Sequence, residues 1–102
     1  MTGKSFRDHE GNLLWLSPST EAHIREKHRL PDIAGFIADT LAQPITILRS
    51  KWERDTRIYF KPSGRYYQAV IVAWTARRIK TAHLMRTIEG GDRLWNAPDA
   101  TA

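Results

Sequence analysis

The hydrophobic period of this chain changes at Pro44, and the change limits the folds open to it. Before Pro44, residues Ile33, Phe36, Ile37 and Leu41 fall at i, i+3, i+4 and i+8, which is one apolar stripe of a helix facing a core. An earlier helix is punctuated over Pro18 to Arg29. Ser17 is its N-cap, Pro18 its first residue and Glu21 lies in its first turn, with Lys27, His28 and Arg29 as cations at its end. After Pro44 the period becomes two. Ile45, Ile47 and Leu48 begin a strand, and Arg57 to Lys61 places Ile58 and Phe60 on one face with Arg57, Tyr59 and Lys61 on the other. Pro62-Ser63-Gly64 is a turn, Arg65 to Trp74 is apolar on both faces like a central strand, and Arg78 to Ile88 is a further strand before a turn at Gly90-Gly91. Connections this short make neighbouring strands antiparallel. The pattern predicts an α+β fold with two N-terminal helices packed on a roughly four-stranded antiparallel sheet. A short hairpin precedes them, with Ser5 to Arg7 and Leu13 to Leu16 around the turn Asp8 to Asn12.

At 102 residues the chain is sized for one domain, predicted over 1–96, with 97–102 as a flexible tail. The absence of cysteine excludes disulfides, thiolate zinc sites and cysteine nucleophiles, and leans towards a cytoplasmic location. No apolar run approaches the ~18 residues that cross a bilayer, and Met1 to Lys4 lacks the apolar segment of a signal peptide, so no membrane role is expected. Sixteen Lys and Arg against eleven Asp and Glu leave a charge of +5, which favours a polyanionic partner such as RNA. The same balance also occurs on enzymes that never meet nucleic acid.

Chemistry concentrates in two places. On the first helix His23 and Lys27 share a face, with His28 about 100° further round. On the last long strand Ile79, Thr81, His83 and Met85 point one way, and Lys80, Ala82, Leu84 and Arg86 the other. The bland alternatives are a solvated basic helix end and a polar pair satisfied within the sheet. Basic and aromatic residues interleave from Arg49 to Tyr67 (Arg49, Lys51, Trp52, Arg54, Arg57, Tyr59, Lys61, Arg65, Tyr67), a mixture suited to phosphates and stacked bases but common on exposed strands. The acids are scattered beside bases and the four His lack zinc spacing, so no metal or other cofactor is expected.

From Leu16 to Trp95 the order of motifs, LSPSTEAHIREKH, PDIAGFIADTLAQPITILRS, RIYFKPSGRYYQAVIVAW and IKTAHLMRTIEGGDRLW, resembles the phage-associated branch of the barnase, EndoU, colicin and RelE-like (BECR) ribonuclease family. That branch shows an HI..KH helix, a helix ending in L.NP, a strand opening I..S and a closing TAY strand followed by G..W. Here Gln43-Pro44 replaces Asn-Pro and His83 replaces the tyrosine of TAY. The resemblance implies a toxin-like, metal-independent endoribonuclease. His23, Lys27, His28, Thr81 and His83 would be its catalytic group, with Ser50 as the strand-end serine of the motif. Chemically, His23 would be the acid or base, with Lys27 and either Arg86 or Lys61 stabilising charge and Thr81 donating to the phosphate. Tyr59 and Tyr67 would stack on bases, and Arg49 and Arg65 complete the substrate surface. Two other readings stay open: a non-catalytic nucleic-acid-binding module, and an interaction module docking an acidic inhibitor, immunity protein or larger assembly.

Overall fold

Both helices begin where a side chain can cap them. In the computed structural model, which describes residues 3–98, Ser17 Oγ accepts from the Thr20 N–H at 3.1 Å and opens α1 (Pro18–His28). Asp32 Oδ1 accepts from the Gly35 N–H at 2.9 Å and opens α2 (Ile33–Ala42). Arg29 ends α1 in the left-handed region (φ 52°), a place more often given to glycine, and turns Leu30 into the core. The strands are β1 (Lys4–Arg7), β2 (Leu13–Leu16), β3 (Thr46–Ser50), β4 (Thr56–Ser63), β5 (Tyr66–Ala73), β6 (Arg78–Met85) and β7 (Gly91–Asn96).

These strands correct the expected architecture. They form one seven-stranded mixed sheet in the order β1-β2-β6-β5-β4-β3-β7, in place of a four-stranded antiparallel one under two helices. The meander β3 to β6 is antiparallel throughout. Two additions enlarge it. The β1–β2 hairpin docks on the edge of β6 in parallel, through Trp15 opposite Arg78 and a 2.8 Å bond from the Trp15 N–H to the Arg77 carbonyl. At the far edge β7 pairs with β3, where the sequence showed only a turn. A Cβ on Gly91 would lie 2.0 Å from the Arg49 carbonyl oxygen, so this pairing needs glycine. At the start of the expected tail the Ala97 N–H donates to the Ile45 carbonyl at 2.9 Å; residues 99–102 of that tail lie outside the described part.

The chain reaches β7 from β6 through Arg86 to Gly90 alone. In a flat sheet β6 and β7 would stand about 19 Å apart, four strand spacings, and the link would also have to climb from the level of Tyr67 to that of Ser50. Six residue steps reach only about 20 Å. The sheet must therefore twist and curl until β6 and β7 come within reach of each other across the face that the link crosses. That face is the one away from the helices. Ile88 packs there with Leu48, Ile58, Phe60 and Ala69, forming a second small core.

The helix face holds the main core, including Leu14, Leu16, Ile24, Ile37, Leu41, Val70, Val72 and Ile79, each at most 1% exposed. Burial of each such aliphatic side chain contributes roughly 1.5–3 kcal/mol. Tyr59 joins this core at 0% exposure, which corrects its expected place in a base-stacking surface. Strand alternation grouped it with Arg57 and Lys61, but the hairpin tip folds over it. Its hydroxyl donates to Asp8 Oδ2 at 2.7 Å. A second correction concerns β6. Lys80 is an extra residue in the β5–β6 register, so Ile79 and Ala82 face the helices while Thr81, His83 and Met85 face the other way. No helix among the described residues is long and apolar enough to cross a membrane.

Asp8 is the acid-sensitive part of this frame. Burial alone would raise its pKa, but donors from Tyr59, the Asn12 side chain and the Asn12 and Glu10 backbones outweigh burial and hold it below its ordinary 3.8. A carboxyl depressed on folding contributes stability above its unfolded pKa and loses it as pH falls through the folded value. Urea denaturation should therefore show stability falling below about pH 4, and Asp8→Asn should flatten that dependence. Tyr59→Phe, which strips a donor from a buried carboxylate, should cost about 1–3 kcal/mol with the m-value unchanged.

Candidate functional site

The imidazole of α1 that meets the sheet is His28. Its ring centroid lies 5.1 Å from that of His83 on β6, with the planes tilted by 35°. The two side chains come from separate elements and are both half-buried, whereas His23 and Lys27 are exposed on α1. Burial first, then the charges of His83, His23 and Lys27, hold His28 below the ordinary histidine value of 6.5. Its neutral form therefore dominates at neutral pH. His83 Nδ1 lies 3.2 Å from the Leu84 carbonyl oxygen, to which it can donate, and this contact orients the ring.

Thr81 stands two residues before His83 on the same face, opposite Ile71 as His83 is opposite Ala69. Its Oγ1 is enclosed and has no hydrogen-bond partner in the protein. An enclosed hydroxyl without a partner is uncommon and costs about 1–3 kcal/mol. Tyr67 opposes Met85 on this face, one step along from Ala69, and is half-buried. The structure thus brings together His28 and His83, places Thr81 and Tyr67 beside His83 on the strand face, and sets His23 and Lys27 next to His28 along α1.

The remaining candidates lie elsewhere. Lys61 projects from the helix face of β4 to Asp39 and Gln43, so its charge is already paired. Ser50 Oγ accepts from the Trp52 and Glu53 N–H groups at 3.2 Å each and shapes the β3–β4 loop. Arg49 sits on β3 between β4 and β7, and Arg65 is exposed in the β4–β5 turn. Arg86 is exposed at the start of the crossing link. An open cleft of about 370 Å³, lined by Pro31, Asp32, Gly35, Phe36, Asp39 and Gln68, opens on the helix side. Its carboxylates would repel a phosphate, and Gln68 points to the face opposite His83.

Sequence spacing gave no hint of one further cluster. Asp8, His9 and Glu10 have potential metal-ligand atoms within 4.8 Å of one another, and both His9 ring nitrogens are enclosed without hydrogen bonds. Asp8 is already saturated: Oδ1 accepts from the Glu10 and Asn12 N–H groups and the Asn12 amide, and Oδ2 from that amide and Tyr59. His9 packs on Trp95 with centroids 4.2 Å apart and edge-on to Tyr59 at 6.4 Å. The cluster therefore acts as an anchor joining the hairpin tip to β4 and β7.

Comparison of the chain with protein-family models, with curated proteins and with solved structures finds no match in any of the three. The site is therefore characterised by its own geometry. His83→Asn removes the neighbouring charge and should move the His28 titration upward, stopping short of 6.5 because burial remains. Titration of the His28 Cε1–H resonance by NMR reads the midpoint directly, and an unmoved midpoint would show that the rings do not sense each other.

Proposed function

We propose that this protein cleaves RNA without a metal ion, at a site formed by His28, His83 and Lys27. The observation that carries the reading is the meeting of two imidazoles from separate elements, with the Lys27 ammonium near enough to act on His28. RNA brings its own nucleophile. The ribose 2′-hydroxyl is already placed next to the scissile phosphorus, so the protein has only to move protons and steady charge.

A neutral imidazole at His28 is suited to take the 2′-hydroxyl proton as the oxygen attacks phosphorus. A proton held on the second imidazole would pass to the departing 5′-oxygen, leaving a 2′,3′-cyclic phosphate. Lys27 would offset the charge gathering on the non-bridging oxygens. His23, the first candidate on sequence grounds, is exposed on α1 and only adds, after burial and His83, to what holds His28 below its ordinary value. The likeness of the motifs between Leu16 and Trp95 to BECR ribonucleases agrees with this chemistry, independently of the sheet's architecture.

End-labelled RNA incubated with the protein in excess chelator should yield fragments ending in 2′,3′-cyclic phosphate, while the same oligonucleotide with 2′-O-methyl riboses stays whole. His28→Ala and His83→Ala should each slow cleavage by roughly 10²- to 10⁴-fold with little change in RNA binding. The rate should also decline on the acid side as His28 becomes protonated below 6.5. Salt-sensitive binding with no turnover would replace the enzyme reading with that of a nucleic-acid-binding module.

A further inference from the structure

Trp52 is the most exposed large apolar side chain among the described residues, at 80%. Backbone hydrogen bonds fix the β3–β4 loop that presents it. Ser50 Oγ accepts from the Trp52 and Glu53 N–H groups at 3.2 Å each, the Lys51 N–H donates to the Gly90 carbonyl at 3.0 Å, and the Thr56 N–H donates to the Glu53 carbonyl at 2.9 Å. A Cβ on Gly90 would stand 3.8 Å from Trp52 Cζ3 and 3.7 Å from Ile58 Cδ1, so one edge of the indole faces the link while the rest meets solvent.

Ile58 belongs to the small core on the face away from the helices, the face that also carries Thr81 and His83. Trp52 and His83 therefore share one side of the sheet. On β6 Thr81 is opposite Ile71, which is opposite Ile58 on β4. Two strand spacings and two residue steps put the His83 backbone about 12 Å from Ile58, so a few nucleotides of a single strand reach from one to the other.

The surroundings of the ring in the loop are charged. Every residue from Lys51 to Asp55 is exposed. The two acids are engaged, Glu53 by Lys80 and Asp55 by the Thr75 N–H and hydroxyl. Neither Lys51 nor Arg54 has a carboxylate within 4.0 Å among the described residues. A tryptophan that anchors a protein partner sits in a well-packed patch that shuts out water. One exposed ring between unpaired cations suits a single flat base and its phosphates instead.

We propose that Trp52 is a stacking platform for one base of a single-stranded RNA lying along the face away from the helices, with Lys51 and Arg54 meeting phosphates beside it. The inference rests on the RNA reading for the nature of the ligand, and binding alone tests it. Every base has a flat π face, so the platform adds affinity and places the strand without choosing a sequence. The fixed loop loses little backbone freedom when the strand arrives.

The probe is a fluorescent single-stranded oligonucleotide of about 12 nucleotides, 2′-O-methylated throughout so that it is not cut, followed by anisotropy across a salt series. Trp52→Leu changes the surface and leaves both cores intact. It should weaken binding by about 5- to 100-fold with the slope of log K against log salt unchanged, since stacking releases no counterions. Trp52→Phe keeps a flat ring and should recover part of the loss. Lys51→Gln and Arg54→Gln should each flatten the slope by about 0.7. Tyr66→Leu removes an aromatic that is 41% exposed on the opposite face, two residues before Gln68 on β5, and should bind like wild type. A Trp52→Leu protein that binds like Tyr66→Leu, or a wild-type protein that ignores the probe, would overturn the proposal. Probe binding that depends on Trp52, without cleavage of unmodified RNA, would remove the imidazole reading and leave this one standing.

Discussion

The hydrogen bond from the Tyr59 hydroxyl to Asp8 ties the least local parts of this fold together. It joins the tip of the N-terminal hairpin to a central strand, with both partners buried. Around it His9 rests on Trp95 of β7, so the hairpin from one end of the sheet touches the strand at the other end. A phenol beside a buried carboxylate is a narrow solution. Burial and the neighbouring Asp8 charge both push the Tyr59 pKa up, so the phenol keeps its proton and remains a donor. With the tip fixed, Leu14 and Leu16 are held over Val70, Val72 and Ile79, and α1 departs from β2 along β6. The position of His28 beside His83 follows from that departure.

Strand β6 thus serves as both a structural and a chemical axis. The extra residue at Lys80 turns Thr81 and His83 away from the helix-side core, leaving Ile79 and Ala82 to fill it. Without that bulge Thr81 and His83 would point into an apolar interior, where an imidazole and a hydroxyl lacking partners are costly. The irregularity gives the polar pair an outlet at the rim where α1 ends. The basic end of α1 then supplies charge to the same rim from a second element, with Arg29 closing the helix in a left-handed conformation.

Much of the local structure was legible in the sequence because its signals are local. Ser17, Pro18 and Asp32 mark the two helix starts through capping chemistry that depends on a few adjacent residues. The alternation of Arg57 to Lys61 and the apolar run of Arg65 to Trp74 mark strands of the meander for the same reason. The missed features depend on distant partners. The segment Gly91 to Asn96 has no clean alternation, and its pairing with β3 is set by the reach of the link from β6. Tyr59 shares a strand face with Arg57 and Lys61, and only the returning hairpin makes that position interior. At the candidate site the residue types were legible, but the choice of His28 over His23 depends on how α1 lies against β6. The bulge at Lys80 left no trace in spacing.

The taut link from β6 to β7 has a consequence for the order in which the molecule is completed. During synthesis β3 leaves the ribosome long before its outer neighbour, and it remains an open edge until Gly91 to Asn96 has emerged. Nascent chains with an unpaired strand edge are prone to adopt the wrong neighbour. Gly91 to Asn96 is therefore the stretch that seals the sheet, and the fold cannot close until it has been made.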